Sequence, residues 1–325
     1  MTLRIGVLGA SRIAESAIVG PAAELGHRLV AVAARDPDRA AVFADKYGVE
    51  RVLGSYAEVI EDPAVDVIYN PLANALHAPW NLAAIAAGKP VLTEKPFANN
   101  RIQAAEVAAA AHASGVTVLE GFHYLFHPVT RRALQLAGDG TLGELRRIEV
   151  SMTMPEPADT DPRWSLELAG GALMDLGCYG LHIMRMFGAS AGGAPQVTAA
   201  TAVQRTPGVD ESCDVELSFP GGATGTSSHT MVSDAYRFTL QVFGSDGDVL
   251  VHDFIKPNDD DRVTLTTSAG TRVERLGKRA SYTYQLEAFA AHVTDGAALP
   301  IDTDDAVANM ALIDDAYRAA GMEPR

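Results

Sequence analysis

The chain is 325 residues long, 47% hydrophobic and 21% charged, which is the make-up of an ordinary globular protein with material for two domains. Its formal charge of −15 excludes the basic footprint that a nucleic-acid or anionic-membrane surface needs, so neither is expected as a partner. Two cysteines, Cys178 and Cys213, are too few for a disulfide framework, and no apolar run approaches the ~18 residues of a membrane helix. The first residues enter a strand at once, with no secretory apolar region, so a cytoplasmic location is expected.

From residue 1 to about 120, short apolar runs alternate with Ala-rich helical stretches. Leu3–Leu8, Arg28–Ala33, Val65–Asn70, Val91–Thr93 and Val116–Glu120 are predicted strands, with helices near 12–25, 37–47, 55–61, 77–87 and 99–114 between them. Such alternation predicts a doubly wound parallel sheet of the Rossmann type. Past residue 125 the rhythm changes. A helix near 127–138, a strand over Leu145–Met154, a Pro-rich loop and a helix from about 171 to 187 come first. Strand runs then recur between 195 and 278, separated by turn signals such as Gly221-Gly222 and Asp246-Gly247. Helices at 281–294 and 303–320 close the chain. The expected fold is therefore α/β: a Rossmann domain over 1–124, and an α+β domain with a largely antiparallel open sheet over 125–325. The last helix, about 303–321, is expected to pack back toward the first domain.

The first strand runs into Gly9-Ala10-Ser11-Arg12-Ile13-Ala14. The dinucleotide fingerprint asks for G-x-G-x-x-G/A, and here Gly9 suits the tight turn while Ala14 suits close helix–strand packing. Ser11 replaces the middle glycine; a plain strand–turn–helix is the competing explanation. The second strand ends Ala33-Ala34-Arg35-Asp36, with Arg39 one turn later. Ala34 stands where an NAD site would carry its acid, and the adjacent guanidinium suits a 2′-phosphate, so NADP is expected over NAD. Asp36 is read as the cap of the next helix, with Pro37 at its first position.

Glu94-Lys95-Pro96 follows the fourth strand. A residue before proline is driven out of the helical region, which leaves the Lys95 ammonium at the carboxyl edge of the sheet, where ligands bind. A solvated charge is the alternative. Farther on, Asp175 and Tyr179 are four apart and His182 three beyond, one polar stripe on an otherwise apolar helix. A buried tyrosine with an acid near the helix start would also explain it. His77, His112, His123, His127 and His182 show no zinc spacing, and the acidic runs Asp259-Asp260-Asp261 and Asp302 to Asp305 fit solvated loops or helix starts, so no metal is expected.

Together with Asn74-Ala75-Leu76-His77, Glu120-Gly121-Phe122 and the segment Gly170 to Tyr179, these motifs give a chain that resembles the glucose–fructose oxidoreductase/inositol dehydrogenase (Gfo/Idh/MocA) family over nearly its whole length. It is most similar to the branch of dihydrodiol dehydrogenases and NADP-dependent sugar dehydrogenases, which has Tyr where inositol dehydrogenases have His. The resemblance implies Lys95 and Tyr179 as catalytic residues and Asp175 as a substrate or network partner. It also implies a cofactor site that includes Pro71, Leu72, Asn74, His77, Glu94 and Pro96 beside the fingerprint, a cis bond before Pro96, and a homodimer or homotetramer. Departures are Ser11, and His123 and Leu125 where the family would have Met and Arg; His182 lies outside the family pattern.

The implied reaction moves a hydride between nicotinamide and a secondary alcohol or ketone of a sugar, ketosugar, cyclitol or cyclic diol. A free tyrosine titrates near ~10, and a neighbouring ammonium favours its phenolate, so Lys95 can tune Tyr179. His123, Arg163, Trp164 and His182 are candidate substrate contacts. The alternatives are a hydrolase or epimerase that oxidises its substrate transiently with tightly bound NAD(P), and a non-enzymatic NAD(P)-binding sensor.

Overall fold

A computed structural model describes all residues from 1 to 325. The chain forms two compact units: Met1–Phe122 with Tyr282–Ala308, and His123–Ser281 with Asn309–Arg325. The first stretch of the first unit thus ends two residues before the expected boundary after residue 124, and Tyr282–Ala308 groups with the first unit rather than with the rest of 125–325. The helix over Ser281–Asp295 belongs, from Tyr282 on, to the first unit. Its Thr283 hydroxyl donates to Glu24 at 3.1 Å, and His292 Nε2 lies 2.9 Å from the Thr117 hydroxyl. Amphipathic spacing says that a helix has an apolar face; it does not say which sheet receives it.

In the first unit, β1 (Arg4–Leu8), β2 (Arg28–Ala33), β3 (Val67–Asn70), β4 (Val91–Thr93) and β5 (Val118–Glu120) form a parallel sheet in the order β2-β1-β3-β4-β5. The strands are almost wholly buried, as a sheet covered on both faces requires. The helices are α1 (Gly20–Leu25), entered through a π-helical turn at Glu15–Val19, then α2 (Pro37–Tyr47), α3 (Tyr56–Glu61), α4 (His77–Ala86) and α5 (Arg101–Ser114). Caps fix their starts: Asp36, Ser55 and Asn100 side chains accept backbone N–H groups of the first turns of α2, α3 and α5.

In the second unit, α6 (Pro128–Gly138), β6 (Leu145–Pro155) and α7 (Cys178–Met186) precede β7 (Gln196–Thr206), β8 (Val209–Ser218), β9 (Thr224–Ser233), β10 (Arg237–Gly244), β11 (Gly247–Val251), β12 (Arg262–Thr267) and β13 (Gly270–Arg275). The eight strands run in the order β13-β12-β11-β10-β6-β9-β8-β7, antiparallel except for the parallel pair β6–β9. Burial alternates along β9 and β10, so one face is covered and the other open. On the covered face Ile148, Val150, Leu240 and Val242 form a core beneath the helices. The remaining helices are α8 (Ser281–Asp295), described above, and α9 (Thr303–Ala319). No helix is long and apolar enough to cross a membrane.

Candidate active site

At the carboxyl end of β1, Gly9 takes φ +92°, and its N–H donates to the Ala33 carbonyl at 2.7 Å, joining the turn to β2. The left-handed φ is what calls for glycine here; a Cβ would also stand 2.9 Å from Leu72 Cδ2, the movable end of a side chain. Ala14 is fully buried, which lets the helix pack closely on the strand. Ser11 replaces a glycine, and its hydroxyl is a buried oxygen without a hydrogen-bond partner. A polar atom in that state costs free energy until something binds it. Ala10 is half-buried, and Arg12 and Ile13 are exposed.

The Asp36 carboxylate is committed to its helix: it accepts from the N–H groups of Asp38 at 3.0 Å and Arg39 at 3.4 Å. Arg39 reaches back so that its guanidinium donates to the Ala10 carbonyl at 3.1 Å, beside the glycine turn, and Arg35 is exposed at the end of β2. A tight Gly9 turn, an unpartnered Ser11 hydroxyl and a basic β2 terminus fit a dinucleotide with an anionic ribose substituent.

The next two strand ends are tied together by one histidine. His77 is buried, with Nε2 2.8 Å from the Leu72 carbonyl and Nδ1 2.7 Å from the Pro96 carbonyl. Burial pushes it down to about 4, the Lys95 charge acts the same way, and the two carbonyls oppose. The neutral ring therefore donates to one carbonyl at a time. Asn70 holds α4 in place by donating to the His77 carbonyl at 3.2 Å and to Asn81 at 2.8 Å. Pro71 is buried, while Leu72 and Asn74 are half-buried. Glu94 is buried, receives the Tyr69 hydroxyl at 2.9 Å, and through its own N–H binds the Asn70 carbonyl at 2.9 Å. The Lys95–Pro96 bond is cis, as the resemblance implied, and Lys95 is half-buried at the carboxyl end of β4. Gly121 lets β5 leave past this segment, since a Cβ there would lie 3.0 Å from the Thr93 carbonyl.

In the second unit, the expected helix from 171 to 187 starts as a π-helical turn over Leu173–Gly177 before continuing as α7. Asp175 thus lies in the wider turn and Tyr179 in the first turn of α7. Asp175 accepts from Arg163 Nε at 2.7 Å, and Arg163 also binds Asp161 at 3.2 Å. These acids raise the Arg163 pKa, Asp175 foremost. Tyr179 is 5% exposed and meets the rings of His123 and Tyr124 edge-on, each with centroids 5.8 Å away. His123 Nδ1 lies 2.8 Å from the Ser281 hydroxyl, and His182 Nδ1 lies 2.5 Å from the Tyr124 hydroxyl. His123 and His182 are both buried, so each has a packed, hydrogen-bonded setting.

Trp164, a candidate for stacking on a sugar, serves as packing. It is 9% exposed, its indole N–H donates to the Pro157 carbonyl, and Arg205 covers one face at 4.4 Å. Two residues that sequence reasoning missed shape the same segment. Asp210 accepts from the Leu173 N–H at 2.7 Å, from Arg325 at 2.7 Å and from the Tyr317 hydroxyl at 3.0 Å, while Arg325 Nε donates to the Gly170 carbonyl at 2.9 Å. Gly171, at φ +120°, gives them room. Nothing in the local sequence of either residue announces this buried pair.

Comparison with known proteins agrees with this fold. Residues 3–122 match the oxidoreductase family described as having an NAD-binding Rossmann fold, and residues 130–250 match the GFO/IDH/MocA C-terminal domain. A D-xylose 1-dehydrogenase (NADP(+)) of Haloferax volcanii is 33% identical, covering 98% of this chain and 97% of its own. The mouse trans-1,2-dihydrobenzene-1,2-diol dehydrogenase is 35% identical over 76% of this chain and 74% of its own. Among solved structures, a 3-ketoreductase from Actinomadura kijaniata in complex with NADP and TDP-benzene superimposes with a TM-score of 0.87 at 28% identity, over 97% of this chain and 96% of that one.

Proposed function

The chain belongs to the Gfo/Idh/MocA family of oxidoreductases, and from that premise we propose an NADP-dependent dehydrogenase or reductase that acts on a secondary alcohol or ketone of a sugar-like substrate. The observation that carries this reading is the continuous chain from Gly9 through Leu72 and His77 to Pro96, which holds the nucleotide turn and Lys95 along one edge of one rigid sheet.

Gly9, Ser11, Arg35 and Arg39 are the residues that would hold the dinucleotide, with the guanidinium groups taking the 2′-phosphate. The bound nicotinamide would supply or accept the hydride. We assign to Tyr179 the exchange of the substrate hydroxyl proton and to Lys95 a supporting positive charge in the reaction. Arg163 and Asp175 present donors and an acceptor side by side, a combination suited to neighbouring sugar hydroxyls. Specificity for a polyhydroxylated ring follows from such paired polar groups, because an analogue lacking a hydroxyl would leave them unpaired.

The test is a panel of aldoses, ketosugars, cyclitols and cyclic diols or diketones scored for change in NADP(H) absorbance. Turnover of at least one sugar-like member, faster with NADP(H) than with NAD(H), is expected. No turnover by folded, NADPH-binding protein on any member would overturn the reading. We further propose a cytoplasmic homodimer or homotetramer built on the open face of the eight-stranded sheet; a monomer mass in light scattering at micromolar protein would refute it.

A further inference from the structure

Tyr179 is wedged between two rings that are themselves anchored at their polar ends. His123 is tied to Ser281, and Tyr124 to His182. The second anchor is the tighter, at 2.5 Å between two fully buried side chains. Tyr124 is also backed by Phe254, edge-on at a centroid distance of 5.3 Å, so it cannot move away from Tyr179 without disturbing the core. His182 lies three residues after Tyr179 on α7, on the same side of the helix. The helix that carries Tyr179 therefore also carries the group that fastens Tyr179's neighbour. A Leu–Phe pair would fill the same space without burying two polar groups, which is costly unless they are paired. What the polar pair adds is direction: a hydrogen bond fixes Tyr124 along its long axis, where apolar packing alone allows sliding.

We propose that Tyr124 and His182 are positioning residues, whose hydrogen bond fixes the orientation of the Tyr179 ring for proton exchange. This rests on the reading of Tyr179 as the proton-exchanging group. Acid–base and orientation effects are steep in distance, so a loosened ring lowers turnover without weakening substrate or cofactor binding.

Three variants test it: Tyr124→Phe, which keeps the ring and removes the hydroxyl; His182→Leu, which removes the partner; and His182→Asn, which keeps a polar atom near the Nδ1 position. Each is measured as the NADP-bound protein in two ways: initial rates with a panel sugar that turns over, and NMR of protein carrying isotope-labelled tyrosine, with the Tyr179 signal assigned from Tyr179→Phe. Tyr124→Phe and His182→Leu are expected to lower kcat by on the order of ten- to a hundredfold, with KM and NADPH affinity nearly unchanged, and to broaden or split the Tyr179 signal. His182→Asn restores most of both. An unchanged Tyr179 signal and unchanged kcat in Tyr124→Phe would overturn the proposal, even if His182→Leu fails to fold. A fully active Tyr179→Phe would instead overturn the catalytic reading beneath it, while the NMR arm, which needs no substrate, still decides whether the ring is held.

Discussion

Lys95 and Arg35 separate the chemistry from the cofactor preference. Lys95 sits half-buried on a segment pinned by Tyr69, Asn70 and His77, so truncating it leaves the backbone supports intact. Lys95→Ala is expected to cut turnover by a factor of about 10²–10⁴, the usual worth of an acid–base contribution, while NADPH affinity followed by fluorescence stays within a few-fold. Turnover at the wild-type rate would remove Lys95 from the mechanism. Arg35 lies at the other end of the site, exposed and free of any part in the α2 cap. Arg35→Ala should weaken NADPH more than NADH, by about tenfold if one charge-assisted contact to the 2′-phosphate is lost. Equal losses for both dinucleotides would shift that contact to Arg39 or Arg12. Arg39→Ala should also weaken NADH somewhat, because its hydrogen bond to the Ala10 carbonyl supports the turn common to both.

Among the elements, α7 shows how closely helix and sheet must approach to set Tyr179. Beneath it on β9, His229 Nε2 and the Ser227 hydroxyl are 2.7 Å apart and both buried. A Cβ on Gly180 would come 2.6 Å from His229 Nε2, and one on Gly177 would come 3.2 Å from His229 Nδ1. Gly180→Ala therefore overpacks the seat of the helix. A stability loss of about 1–3 kcal/mol is expected, together with lowered kcat, as Tyr179 is only one residue away. A melting temperature and kcat equal to wild type would show that β9 can yield. The same elements mark the limits of sequence reading. Pro37–Tyr47 was legible to the residue because Asp36, Pro37 and Gly48 punctuate it, and Val91–Thr93 because Pro96 bars a helical continuation through Lys95. The strands β7 and β13 were blurred within a single run, since they are the two edges of the sheet and largely exposed, with little apolar alternation. The π-helical turn at Leu173–Gly177 was illegible. Asp210 and Arg325 impose its start, and both come from distant parts of the chain. Among the candidate residues, Asp175, Tyr179 and Lys95 stood out as polar residues in apolar surroundings, whereas Tyr124 did not, because its partner is 58 residues away.

For the molecule as a whole, each unit contains one fully buried histidine pushed down to about 4, His77 in the first and His229 in the second. In both cases desolvation is the largest cause, and an unfolded chain returns each imidazole to about 6.5. Between these values the unfolded state binds more protons than the folded one, so stability rises with pH across that window. The contribution is complete above pH 6.5, is lost as pH falls to 4, and declines no further below it; on the scale of pKa differences it is on the order of 3 kcal/mol per histidine. Asp253, which burial pushes up to about 6, acts in the opposite sense, as does the buried Asp210. The raw stability curve therefore mixes signs, and the informative quantity is the difference between wild type and variant. His77→Gln can still donate to one of the two carbonyls and cannot take up a proton. Denaturant midpoints for it should be flatter than wild type between pH 6.5 and 4, with the two curves parallel above pH 7. His229→Gln should flatten the same window through the second unit, and if the units unfold separately the two variants will alter different transitions. Curves parallel to wild type throughout would mean that these imidazoles are solvated when protonated, contrary to their burial.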